Sequence, residues 1–419
     1  MPKSTSGIGR SKSDSKTDAT ETLAEIYQSE IQRPKALVRS AVGLKALLLL
    51  LAVSLIGGFW AGFVQDNLFD GYYQGLALNN TSAKPEPELL DLNFLLKEQD
   101  NQYDRVLSEI RSHLVGFYSQ KEGSGILDSV FLESDFLGSG IVVTSDGWLL
   151  THRSVVGDGD YVVVTGNKEV LEPQEEVADE FSGAVLVKIA KDNLSPVKFA
   201  EVNNLSPTNV LLAARYSVQN HGSDIVKTSL QKFAYHDQAK AEDFLLATEK
   251  IDHYLKAANE FKLTYNGAAL INENNEVVGL MFDSGRNLID LALPAYYLKS
   301  AINNFLVNSQ EIIRSSLGVY YIDLAEAIGL SHEVSEGRTK GAVLLGSSVK
   351  NVLAVEPGSA AAEAGLEAGD IVIKVNGEEV DEKNSLTKLI QDYTPGQEIS
   401  LTIVRAGEEM EIKLILGEI

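Results

Sequence analysis

Chemistry that needs a reactive side chain has few places to go in this sequence. There is no cysteine, which removes disulfides, thiolate zinc sites and a cysteine nucleophile together. The six histidines, at 113, 152, 221, 236, 253 and 332, are the available imidazole bases and metal ligands. No two of them stand at the short spacing that sets a ligand pair on one helix face. They read as surface or loop residues, and the sequence implies no metal and no cofactor.

The elements that could position such groups follow from bulk and pattern. At 419 residues the chain exceeds one core and should hold two or three domains. A net charge of -23 makes nucleic acid a poor partner, because phosphate backbones require cationic surfaces. Residues 46–64 carry no formal charge and are rich in Leu and Ala. At about 1.5 Å per residue they match the roughly 30 Å of a bilayer core. Lys3, Arg10, Lys12, Lys16, Arg33, Lys35, Arg39 and Lys45 outnumber the acids before that span, and Asp66 and Asp70 follow it. The positive-inside rule therefore predicts a single-pass membrane protein with a cytoplasmic tail, 1–45, and everything after the span outside the cytoplasm. The first twenty residues, rich in Ser, Thr, Gly and Lys, are expected to be disordered.

Residues 65–87 read as a linker. Leu92, Leu96, Tyr103, Val106, Ile110 and Phe117 then recur at an average of about 3.5 residues and predict an amphipathic helix over 88–120. Gln99 and His113 interrupt the stripe, which favours packing on the next domain over a coiled coil. From 124 to 310 short β-branched and apolar runs alternate with turn signals (Gly140 to Val143, Tyr161 to Val164, Ala184 to Ile189, Val210 to Ala213, Val277 to Phe282), as in an all-β sandwich or barrel. Ala239 to Phe261 is charged and reads as a helical or loop insertion. Residues 315–419 form a separate unit with one helix, Ser385 to Gln391.

Within that unit, Pro357-Gly358 makes a turn, Ser359 caps a short helix that Gly365 ends, and Asn376-Gly377 closes a hairpin of the type I′ class. The run 355–377 resembles the bacterial PDZ domain. The resemblance implies a peptide C-terminus added as a strand, its carboxylate held by the backbone of Ser316-Leu317-Gly318-Val319 and its side chains by a helix bearing Leu386, Leu389 and Ile390.

Leu137-Gly138-Ser139-Gly140-Ile141-Val142-Val143 through Trp148-Leu149-Leu150-Thr151 is similar to the first hairpin of HtrA/Deg-type trypsin-like proteases. Ala184-Val185-Leu186, Leu194-Ser195-Pro196, Glu276-Val277-Val278-Gly279-Leu280 and Leu291-Ala292-Leu293-Pro294 follow in that family's order. The implied fold is mainly β: an N-terminal transmembrane helix, a trypsin-like double β-barrel and an α+β PDZ domain. Carried over position by position, the triad is degenerate, with Ser154 where the histidine belongs, Ser182 where the aspartate belongs and Asn266 where the nucleophile belongs. His152 stands two residues early, a displacement of about 7 Å along a strand. Thr264 replaces a glycine of the oxyanion loop, and its rescue as a nucleophile would need His253 or His236 beside it.

The resemblance thus implies a membrane-anchored extracytoplasmic pseudoprotease that binds polypeptides, either unfolded proteins or free C-termini, as adaptor, scaffold or chaperone-like factor of envelope quality control. It also implies a homo-oligomer, as trimers are common in this fold. An active endopeptidase with a rearranged site, or a structural subunit pairing with an active relative, are the alternatives.

Overall fold

The computed structural model describes residues 106–419, apart from 107, 124, 128, 158, 202–204, 206–208, 220–221 and 309–310. The tail 1–45, the span 46–64, the linker 65–87 and most of the helix expected over 88–120 lie outside the described residues. Among the described residues no helix is long and apolar enough to cross a membrane.

The expected helix is wrong at its C-terminal end. Helical backbone stops at a 3₁₀ turn, Arg111–His113, and Leu114–Ser119 is a strand. Leu114 to Tyr118 are all buried, the signature of a strand covered on both faces, which has no apolar period of its own. The seven-residue step from Ile110 to Phe117 merely bridges two elements. Gly116 is required there, because a Cβ at that position would fall 2.4 Å from the Tyr216 ring. The β-rich domain therefore begins at 114 rather than 124.

Two antiparallel sheets form that domain. The first has the strand order 170–171, 161–164, 114–119, 136–142, 148–152, 184–189, 173–178. The second runs 224–228, 211–215, 269–271, 276–282, 289–294, 254–261, 230–235, with 198–199 paired in parallel to 276–282. Val, Ile and Leu alternate inward along these strands, and one apolar cluster containing Ile141, Leu150, Leu186, Leu212, Leu280 and Leu293 is shared between the sheets. The helix Ala295–Val307 follows the last strand, which the strand rhythm does not foretell. It buries Leu298, Ala301, Ile302 and Phe305 on one face, the 3–4 spacing of an amphipathic helix. The segment read as a charged insertion is not helical. It holds a 3₁₀ turn, Ala241–Phe244, a two-residue strand, Leu246–Ala247, and the strand Tyr254–Phe261.

A third sheet builds the C-terminal unit, in the order 246–247, 320–323, 342–344, 371–375, 398–405, 408–415. Its first strand comes from the preceding domain. Ser359 caps Ala360–Glu363 and Ser385 caps Leu386–Gln391, each hydroxyl accepting from the N–H three residues on. Asn376 and Gly377 both have positive φ, as the two-residue hairpin between Val375 and Glu378 requires.

The two folded parts are joined at Arg314, 3% exposed. Its guanidinium donates to Asp179 (Nε to Oδ1 3.1 Å, Nη2 to Oδ2 2.5 Å), to Ser300 Oγ and to the Tyr297 carbonyl. Removing one member of a buried pair strands the other charge away from water. Arg314→Met should therefore lower unfolding free energy by about 3–5 kcal/mol in chemical denaturation, and Arg314→Met with Asp179→Leu should recover part of that loss.

Candidate functional site

The strand Trp148–His152 runs directly into the helical turn Arg153–Val156, and this junction decides where the first site residues point. His152 is the N-cap. Its Nδ1 accepts from the Ser154 N–H at 3.1 Å and lies 2.8 Å from Ser154 Oγ. The expectation that His152 is out of reach is thus overturned. A side chain at the N-cap folds back over the next turn, so the 7 Å of an extended strand does not apply. The ring packs 4.7 Å from Phe282, and a Cβ on Gly183 would fall 2.8 Å from its Nε2.

Ser154 and Asn266, 112 residues apart, do come together. Ser154 Oγ and Asn266 Oδ1 are 2.8 Å apart, and Asn266 Nδ2 donates to the Ser154 carbonyl at 3.0 Å. Asn266 Oδ1 also accepts from the Asp283 N–H at 3.0 Å. The amide is therefore fully engaged as a structural bridge. Ser182 does not join them. Its hydroxyl bonds Asp179 Oδ2 at 2.5 Å, within the Arg314 pair.

The backbone of Leu263 to Gly267, where the resemblance expects the nucleophile loop, is also turned inward. A 3₁₀ turn, Leu263–Tyr265, occupies it, and the N–H groups of Tyr265, Asn266 and Gly267 donate to the carbonyls of Lys262, Leu263 and Met281. An oxyanion hole needs such N–H groups free and aimed at the reacting atom. Gly267 is held at φ +72, with the Ser139 carbonyl 2.0 Å from where a Cβ would lie.

Burial, with the Arg153 charge adding to it, pushes His152 down to about 4, so at neutral pH it is an uncharged, weakly basic ring. The unfolded chain takes up this proton near 6.5 and the folded chain only near 4, so stability is complete above 6.5 and falls as pH drops through that window. At about 1.4 kcal/mol per unit the loss is on the order of 3 kcal/mol by pH 4. His152→Asn, which keeps a capping acceptor and removes the titration, should flatten the urea-midpoint profile between pH 6.5 and 4.

The second candidate site is the PDZ groove. Leu317, Leu386, Leu389 and Ile390 are buried in one cluster with Val319 and Tyr321. Gly318 has φ +78, and a Cβ there would meet the Ser359 Cβ at 2.2 Å, so only glycine fits the loop. The segment Leu246–Glu249 lies between this loop and the helix.

Beside the groove the fold assembles groups that sequence spacing separates. His236, His253 and Glu326 bring ligand atoms within 4.8 Å of one another, a donor set that zinc accepts, with Asp252 Oδ2 3.1 Å behind His253 Nδ1. Burial opposes charge on His253, but the carboxylates of Asp252 and Glu326 outweigh it and hold the ring up to about 10. No local pattern links 236, 253 and 326. Neither imidazole is paired with Thr264 by any of these contacts; both face the C-terminal unit through Glu326.

Residues 138–280 match the trypsin-like peptidase domain family and 352–405 the PDZ domain family. Serine endoprotease DegS of Haemophilus influenzae is 23% identical over 362 residues, 84% of this chain and 98% of that protein. A probable periplasmic serine protease do/HhoA-like from the same organism is 28% identical over 298 residues, 67% of this chain and 58% of that relative. This chain therefore spans less than two thirds of the latter's length. Among solved structures, the HtrA-type protease AlgW with tripeptide matches with a TM-score of 0.54 at 19% identity, covering 76% of this chain and 97% of that one. The fold is accordingly a trypsin-like domain followed by a PDZ domain.

Proposed function

We propose that this chain is an extracytoplasmic pseudoprotease, anchored by residues 46–64, that binds polypeptide C-termini through its PDZ domain and does not hydrolyse them. The observation that carries this reading is Asn266. An amide stands at the nucleophile position with both of its polar atoms committed to Ser154 and Asp283, beside a loop whose Tyr265 and Asn266 N–H groups close its own turn and whose Gly267 N–H is taken by the Met281 carbonyl. A carboxamide is not a nucleophile at neutral pH, and the hydrogen-bond partners of this one are a hydroxyl, a carbonyl and a backbone N–H. The relative named above as periplasmic supports an extracytoplasmic site of action. The polypeptide-binding role then makes the protein an adaptor, scaffold or chaperone-like factor, acting as a homo-oligomer.

One contact favours a second reading, an endopeptidase with a rearranged site. Ser154 Oγ lies 2.8 Å from His152 Nδ1, the reach of a nucleophile and its base. Against it stand the low basicity of the buried ring and the second tie of that hydroxyl to Asn266.

Purified full-length chain, incubated with unfolded casein from pH 6 to 9 and followed by gel and mass spectrometry, separates the two. We expect no cleavage by the wild type or by Asn266→Ser, which restores a hydroxyl without an imidazole. Cleavage abolished by Ser154→Ala would establish the rearranged protease and end the pseudoprotease reading.

A further inference from the structure

We infer that the PDZ groove already holds a ligand from its own chain, residues Leu246–Glu249, and that a free polypeptide C-terminus enters only by displacing it. This rests on the reading of the groove as a peptide site. Leu246 and Ala247 pair antiparallel with Tyr321 and Tyr320, which is strand addition of the kind PDZ domains use for peptides. The Thr248 N–H donates to the Val319 carbonyl at 3.3 Å. From the opposite wall, Thr387 Oγ1 donates to the Ala247 carbonyl at 3.2 Å and Gln391 Nε2 to the Thr248 carbonyl at 3.1 Å. Leu246 is buried in the same cluster as Leu317, Leu386, Leu389 and Ile390.

The segment has no chain end, yet it presents a carboxylate where one is needed. Glu249 Oε1 accepts from the Leu317 N–H at 3.0 Å, the Gly318 N–H at 2.7 Å and Ser316 Oγ at 3.1 Å. A side-chain carboxylate thus stands in for the α-carboxylate of a terminal residue. Had the chain ended at Thr248, its terminal carboxylate would replace the Glu249 group at the same loop. The resident segment therefore describes the external ligand: an extended chain with a free carboxylate, a small penultimate residue and an apolar residue before that.

Because the resident ligand is tethered, it competes at a high effective concentration, and the apparent affinity of any external peptide falls by the fraction of grooves that are open. The probe is an N-terminally fluorescent synthetic peptide of residues 241–248, ending in a free carboxylate at Thr248, with its C-terminal amide as control. It is titrated into full-length wild type, Glu249→Ala and Leu246→Ala, each checked for folding by circular dichroism.

We expect the free-acid peptide to bind Glu249→Ala at least about 10-fold more tightly than wild type, the signature of a mostly closed groove, and the amide to bind neither. Excess free-acid peptide should also raise hydrogen exchange in residues 245–250 of the wild type. Equal affinity for wild type and both variants would overturn the resident ligand while leaving the peptide site standing. No binding by any folded variant, or equal binding of acid and amide, would overturn the site as well. If Glu249→Ala does not fold, unchanged exchange at 245–250 in peptide-saturated wild type overturns the inference by itself.

Discussion

The ion pair between Arg314 and Asp179 is the contact on which the arrangement of both candidate sites depends. It is buried, and a buried guanidinium–carboxylate pair holds geometry more strictly than apolar packing because either charge left alone is costly. Asp179 also takes the Ser182 hydroxyl, so that hydroxyl is committed to the same buried pair. Arg314 in turn exchanges backbone hydrogen bonds with Ile419, fastening the C-terminal strand of the PDZ domain at the same point. One pair thereby fixes the peptidase-like sheet, the connecting segment and the last residue of the chain. With that junction fixed, the segment after Ala241–Phe244 is presented to the PDZ sheet edge.

Ser154 and Asn266 hold together by the same logic of satisfied polar groups. Their bonds run between distant segments and serve packing. Asn266 bridges the Ser154 carbonyl and the Asp283 N–H, and its own N–H closes a 3₁₀ turn. Buried polar atoms without partners would each cost about 1–3 kcal/mol, so the mutual satisfaction of Ser154 and Asn266 is the stable arrangement of these groups.

Much of this was legible in residue order, and the failures have physical causes. The strands at Tyr161 to Val164 and Ala184 to Ile189 are β-branched runs between turn residues, and the structure places strands over those same residues. The Asn376-Gly377 turn is local chemistry and reads directly. The helix expected through Phe117 failed because a fully buried strand carries no period, so a seven-residue coincidence filled the gap. His152 was misplaced because reach along a strand was applied to a residue that ends one. The self-pairing of Leu246–Ala247 with Tyr320–Asp323, and the meeting of His236 and His253 with Glu326, are contacts between distant segments, and no spacing rule within one element encodes them.

What limits the motion of the resident segment is found on its two flanks. On the C-terminal side Asp252 is wholly buried, accepting from Tyr297 Oη at 2.5 Å and the His253 N–H at 2.7 Å, and its neighbour His253 reaches Glu326 of the PDZ domain. On the N-terminal side the Ala241–Phe244 turn is closed by Asp243 accepting the Lys240 N–H. Between them lie residues 245–251, held in the groove by the two strand pairs, the Thr248 N–H to Val319, the Thr387 and Gln391 hydrogen bonds, the Glu249 carboxylate and the Leu246 side chain. Their displacement leaves the Asp252 anchor and the Arg314 pair untouched, so the groove can open without parting the two domains. A tether that short also explains why a side-chain carboxylate suffices: an intramolecular strand needs far less intrinsic affinity than a free peptide to keep the groove filled.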